Sequence, residues 1–161
     1  MACHGYMSIS GRSKGLISAG CSTQDSIGNR FQVGHADEIM VLSFSHNLSS
    51  LGNTDRATHR PILITKHVDK STPLLAEALA SREIVDCKIN FYRVNGSGKQ
   101  ERFFHIELAG GLVVDHRIEM PHSILLNDQH PQEYIAIRYG FIGWQHLIAG
   151  TSGYASWGDG E

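Results

Sequence analysis

Long hydrophobic runs are missing from this sequence. No apolar stretch approaches the roughly 20 residues that cross a bilayer as a helix. The opening, Met-Ala-Cys-His-Gly-Tyr, lacks both the charged and the apolar region of a secretory leader, and Cys3 follows no lipoprotein-type stretch. Export, if it occurs, is expected by a signal-independent route. An excess of one charge is also missing. Lys plus Arg number 14 and Asp plus Glu 16, a formal net charge of −2. That balance argues against a nucleic-acid partner and against a polybasic membrane-surface helix. Cysteine is scarce: Cys3, Cys21 and Cys87 are far apart, with no Cys-x-x-Cys pair. This is neither a disulfide framework nor a thiolate zinc site.

What is present is ordinary for a globular protein. Hydrophobic residues make up 41% and charged residues 19% of 161 residues. One domain over 1–161 fits that length, and a domain of this size buries roughly 70% of its unfolded surface without a metal or disulfide. No repeat, linker or low-complexity tract divides it.

The most informative stretch is 59–83. A β-branched run over 60–68 ends in Asp69-Lys70-Ser71-Thr72-Pro73, and an amphipathic segment follows at once. Ser71 is expected as the N-cap, its hydroxyl accepting a first-turn N–H. Pro73 is tolerated because first-turn N–H groups have no intrahelical partner. Leu74, Leu75, Ala78 and Leu79 recur at helical spacing, so a helix over about 71–82 should bury one face.

The rest reads as strands. Segments 5–10 and 14–19 form a short pair around Gly11, and 20–36 is a Gly/Ser/Asn-rich loop. Within 37–48, Met40, Leu42, Phe44 and Leu48 alternate with polar residues. Residues 49–58 form a polar excursion. Val85, Cys87, Ile89 and Phe91 share a face over 84–94, and Asn95-Gly96-Ser97-Gly98 connects to 101–109 as a hairpin. Gly110-Gly111 is expected to turn into a strand over 112–120 aligned on Leu112, Val114, Ile118 and Met120. A long strand follows over 132–146, then a Gly-rich tail over about 147–161. About seven strands with short connections and one helix imply a mainly β fold, a small antiparallel barrel or sandwich, with the helix plugging an end or covering a side.

No catalytic signature emerges. Of ten histidines, the closest pair is His116 and His122, which spans Pro121; His59 and His67 are farther apart. Zinc motifs need two ligands on one local element, so no metal is expected, and a metal-dependent β-barrel enzyme is the rival reading. Gly150-Thr151-Ser152-Gly153 has no following helix to supply oxyanion donors. Gly96-Ser97-Gly98 lacks the Lys-Ser/Thr pair of a phosphate loop. Asp86, Asp115 and Glu119 should face solvent, opposite the apolar sides of their strands. No cofactor is expected.

Several pieces in order along the chain resemble the Hcp family, the tube proteins of the bacterial type VI secretion system. They include Tyr6-Met7-Ser8-Ile9-Ser10-Gly11, Gln24-Asp25-Ser26-Ile27-Gly28-Asn29 and Gly34-His35-Ala36-Asp37-Glu38. Further along come Phe44-Ser45-His46, the Asp69–Leu75 junction, Phe91-Tyr92-Arg93, Met120-Pro121-His122, Trp144 and Ala149–Gly153. The resemblance implies a fold similar to contractile phage tail-tube proteins and a structural role without catalysis. It implies hexameric rings stacked into a tube inside a contractile sheath, a VgrG spike at the tip and effector proteins in the lumen. It also implies that the loop at 49–58 reaches the next ring, which points to Leu51, Asn53, Asp55 and Arg56 as stacking residues. In this chain the loop is shorter than in many members and lacks their Pro- and Gly-rich stretch.

Overall fold

A computed structural model describes residues 3–50, 52 and 55–158. Among them are eleven strands: β1 (His4–Gly11), β2 (Gly15–Leu16), β3 (Ile39–Ser45), β4 (Leu48–Ser50), β5 (Ala57–His59), β6 (Ile62–His67), β7 (Val85–Val94), β8 (Gln100–Glu119), β9 (Gln132–Arg138), β10 (Phe141–His146) and β11 (Thr151–Ser156). The expected loop at 20–36 contains a short helix, α1 (Gln24–Ile27), and a 3-10 turn at Gly28–Arg30. The main helix is α2 (Thr72–Ala80). The fold is mainly β and antiparallel, as the sequence implies.

The strands close a circuit. β7, β1, β3, β6 and β9 are neighbours in that order, and β8 pairs with both β7 and β9. Closure removes the edges of those six strands. The β10–β11 hairpin extends the sheet from the first half of β8. Inside lie Met7 and Ile9 of β1, Ile62 and Ile64 of β6, Val85, Cys87 and Ile89 of β7, Ile106 and Leu108 of β8, and Ile135 and Ile137 of β9. Period-2 alternation supplies this core, because successive side chains in a strand point to opposite faces.

Bulges and glycines set the departures from simple alternation. In β3 the register shifts between Val41 and Ser43. Ile39, Val41 and Phe44 therefore face the core, while Leu42, expected inside with Met40, is exposed. Gly110-Gly111 does not turn the chain. It bends a single 20-residue strand, β8. An added Cβ at Gly111 would lie 2.9 Å from the Arg138 carbonyl oxygen and 3.1 Å from that of Val85. Only glycine admits two backbones that close. A second register shift at Val113/Asp115 turns Val113 inward and leaves Val114, Ile118 and Met120 exposed, against expectation. The expected single strand over 132–146 breaks at Tyr139-Gly140, where Gly140 N–H donates to the Ala109 carbonyl at 3.0 Å. β9 and β10 thus follow the two halves of the bent β8. The expected tail contains β11.

Helix α2 packs against β8, with Leu75 and Ala78 buried. Each such leucine contributes about 1.5–3 kcal/mol. Leu74 stays 36% exposed. Ser71 occupies the N-cap position but makes no side-chain bond to the first turn. Its hydroxyl instead donates back to Asp69 Oδ1 at 2.5 Å. The carboxylate is a stronger acceptor than any use the helix could make of the hydroxyl. Pro73 sits in the first turn. The helix stops in a Schellman pattern: Arg82 adopts φ +54°, Glu83 N–H donates to Ala78 O at 2.9 Å and Arg82 N–H to Leu79 O at 3.2 Å.

Candidate functional site

Between β3 and β6 the chain leaves the barrel. The β3–β6 ladder ends at Ser45 opposite Leu63. β4 and β5 then pair as a separate two-stranded sheet, with Leu48 opposite His59. The gap between the ladders holds His46-Asn47 on one side and Arg60-Pro61 on the other. Pro61 has no N–H to donate, so the ladder cannot run through. The polar excursion of the sequence is therefore a hairpin hinged on the barrel. Of the residues assigned to stacking, Leu51 and Asn53 lie outside the described residues, while Asp55 and Arg56 are exposed near the start of β5. Arg56, Ala57 and His59 line one wall of a groove of about 550 Å³, with Ala155, Ser156 and Trp157 opposite.

The base of the hairpin meets the barrel at the Tyr139 hydroxyl. Tyr139, 1% exposed, follows β9 at the strand break. Its Oη lies 2.9 Å from His46 Nε2 and 2.7 Å from His59 Nδ1. Trp157 packs edge-on against the Tyr139 ring at 4.9 Å, and the Arg138 guanidinium covers Trp157 at 4.8 Å. Burial pushes the Tyr139 hydroxyl up to about 12. Burial, and then His59, hold His46 below the ordinary imidazole value; a backbone hydrogen bond at Arg60 opposes them. Nothing in the spacing of residues 46, 59 and 139 announces this cluster.

A second polar cluster lies under the helix junction. Lys66 of β6 pairs directly across the ladder with Glu133 of β9. The Lys66 ammonium donates to Glu133, to Asp69 Oδ1 at 2.8 Å and to the His67 carbonyl at 3.0 Å. Thr72 Oγ1 donates to Glu133 at 3.2 Å and accepts from Asp69 N–H at 3.0 Å. His116 meets the other Glu133 oxygen at 2.5 Å. The Asp-Lys-Ser-Thr motif thus fastens the helix start to two barrel strands. A signal existed: Lys66 falls in phase with Ile62 and Ile64, and Glu133 with Ile135 and Ile137.

The remaining candidates stay apart. His122 Nδ1 accepts from the Ile124 and Leu125 N–H groups, far from the role of His116. His67 Nδ1 accepts from Arg30 at 3.3 Å. Among the described residues no three His, Cys, Asp or Glu side chains converge as a metal set. Asp86, Asp115 and Glu119 are exposed. Thr151, Ser152 and Gly153 belong to β11. Among the described residues no helix is long and apolar enough to cross a membrane. Cys21 and Cys87 are buried, and burial pushes the Cys21 thiol up to about 11.

Comparison with known proteins agrees with this architecture. Residues 6–146 match the family model described as the type VI secretion system effector Hcp. A relative from Pseudomonas aeruginosa named major exported protein is 38% identical, over 98% of this chain and 96% of its own length. An Escherichia coli K12 protein, YhhZ, is 37% identical over 91% of this chain, which spans only 36% of that protein. A crystal structure titled Hcp protein superposes with a TM-score of 0.93 at 32% identity, covering 99% of this chain and all of the other. The secreted protein Hcp3 from Pseudomonas aeruginosa gives 0.86 at 36% identity, over 98% of this chain and all of its own. With its closed barrel, its junction helix and a match running from β1 through β10, the chain belongs to the Hcp family of type VI secretion proteins.

Proposed function

We propose that the chain is the structural subunit of a type VI secretion tube. Subunits assemble as a hexameric ring in the cytoplasm, rings stack within a contractile sheath, and the tube leaves the cell behind a VgrG spike. Effector proteins travel in the lumen. The loop at 49–58, which the β4–β5 hairpin carries, reaches the next ring, with Leu51, Asn53, Asp55 and Arg56 as the stacking residues. The family membership carries this reading.

Two features of the isolated chain support self-association. β11 ends the sheet with its outer edge unpaired among the described strands, and such an edge invites a partner. Ile118 near the end of β8 and Met120, Ile124 and Leu125 in the connection to β9 are 55–77% exposed, and apolar side chains exposed in such a group favour a partner surface. A contact between different surfaces closes into a ring when its rotation permits. A net charge of −2 lets many copies pack with little repulsion. Light scattering after gel filtration, with negative-stain imaging, tests the reading. Six-fold rings with an open centre are expected; a monomer at high concentration would overturn it.

A further inference from the structure

We infer that His46, Tyr139 and His59 form a proton-operated latch on the hinged β4–β5 hairpin. The tyrosine hydroxyl holds the hairpin while at least one imidazole is neutral, and protonation of both releases it. The inference rests on the proposed role of this hairpin in ring stacking and adds its regulation: docking between rings weakens in acid.

The argument is one of proton counting. A tyrosine hydroxyl has one proton to give and lone pairs to accept with. With both imidazoles neutral, one ring N–H donates to Oη and Oη–H donates to the other ring's bare nitrogen. With one imidazolium the arrangement survives, since the charged ring donates and the neutral one accepts. With two, both rings donate, and the hydroxyl proton has no acceptor in either. Tyr139 is 1% exposed, so water does not readily replace the lost partner. Ionisation of the hydroxyl offers no escape, because burial pushes it up to about 12.

Charged side chains lie close to the pair. Arg138 stacks over Trp157, which lies 5.6 Å from the His59 ring. Arg56 shares the groove wall with His59, and Arg60 follows it in the chain. These are cationic groups. The His59 ring is one of the causes that hold His46 below the ordinary imidazole value, after burial. The position matters for a mechanical reason. The two imidazoles flank the gap between ladders, one on each side of the hairpin, and that hairpin shares no ladder with the barrel sheet. Without those hydrogen bonds the hairpin keeps the chain at Asn47 and Arg60-Pro61 and the ring contacts of His46 with Trp144 and of His59 with Trp157, and it can loosen about them.

Hydrogen exchange on the full chain tests this, as protection factors corrected for intrinsic rates, between about pH 7.5 and pH 5. Protection over β4 and β5 is expected to fall about tenfold, the scale of one orphaned buried hydroxyl, while β7 keeps its protection. His46→Gln and His59→Gln each keep a neutral donor and acceptor, so either should abolish the fall. An equal fall in both variants, or none in the wild type while β7 stays protected, overturns the latch. Tryptophan fluorescence needs no variant: Trp144 lies 6.1 Å from His46 and Trp157 5.6 Å from His59, and an imidazolium quenches a neighbouring indole. Fluorescence is expected to fall over the pH range in which β4 and β5 lose protection, and no change over that range overturns the latch. Ring stacks imaged at both pH values separate the two ideas. If the hairpin loosens and stacks persist, the latch stands and the stacking role of the hairpin falls.

Discussion

Lys66 and Glu133 stand opposite each other on neighbouring strands, and both side chains are fully closed to solvent. A buried pair of this kind gains little over an apolar pair, but losing one partner leaves the other charge stranded. Lys66→Ala should therefore cost about 3–5 kcal/mol in urea unfolding, and Lys66→Met paired with Glu133→Leu should recover part of that, since Asp69 still loses its ammonium partner. A single variant within about 1 kcal/mol of wild type, the scale of a surface ion pair, would refute the stranding argument.

Gly111→Ala tests the bend of β8. The added methyl meets two carbonyl oxygens of neighbouring strands, and neither can move without breaking a ladder. Destabilisation of about 1–3 kcal/mol is expected, with the midpoint of chemical unfolding as the measure. The same change at Gly96, where nothing lies within 4 Å, serves as the control. Equal effects at both positions would rule out the close-approach explanation.

Leu51→Asp tests the assignment of the loop at 49–58 to ring stacking. Burying a leucine contributes about 1.5–3 kcal/mol per subunit, repeated around a ring. The variant should keep its rings and its melting temperature yet lose tube growth and secretion. Normal secretion, or failure to form rings, would count against placing this residue between rings.

Acid should weaken the fold. His46, His67 and His105 are all held below the ordinary imidazole value, chiefly by burial. The unfolded chain then binds more protons than the folded one near and below about pH 6.5. The contribution is complete above that value and is lost as pH falls toward the folded ones. Calorimetry should give a higher Tm at about pH 7.5 than at about pH 5.5, and His67→Gln should flatten the slope. A Tm that rises on acidification would contradict the sign.

The helix and the β7–β8 hairpin were legible because each depends on local chemistry. Leu75 and Ala78 follow helical spacing, and Asn95 with Gly98 makes its turn through neighbours only; Gly98 N–H donates to Asn95 O at 3.0 Å. The second half of β8 was not legible. Leu112 and Val114 alternate correctly for a flat strand, but the shift at Val113/Asp115 reverses the face, and the partner that imposes it is β9, some 20 residues on. β11 was hidden for another reason: its residues are almost wholly exposed, so no apolar alternation marks it. The ring of His46, Tyr139 and His59 depends on three elements meeting. The Lys66–Glu133 pair was missed although its phase marks it, as charged residues in apolar rows.

Barrel closure also has a consequence during synthesis. The circuit is complete only when β9, ending at Arg138, reaches both β6 and β8. One flank of β1, which ends at Gly11, waits for β7, which ends at Val94. At about 5–20 residues per second, the first strand emerges several seconds before that flank is covered. During that interval the nascent chain presents a hydrogen-bonding edge beside Met7 and Ile9, and whatever shields it on the ribosome governs the yield of usable subunits.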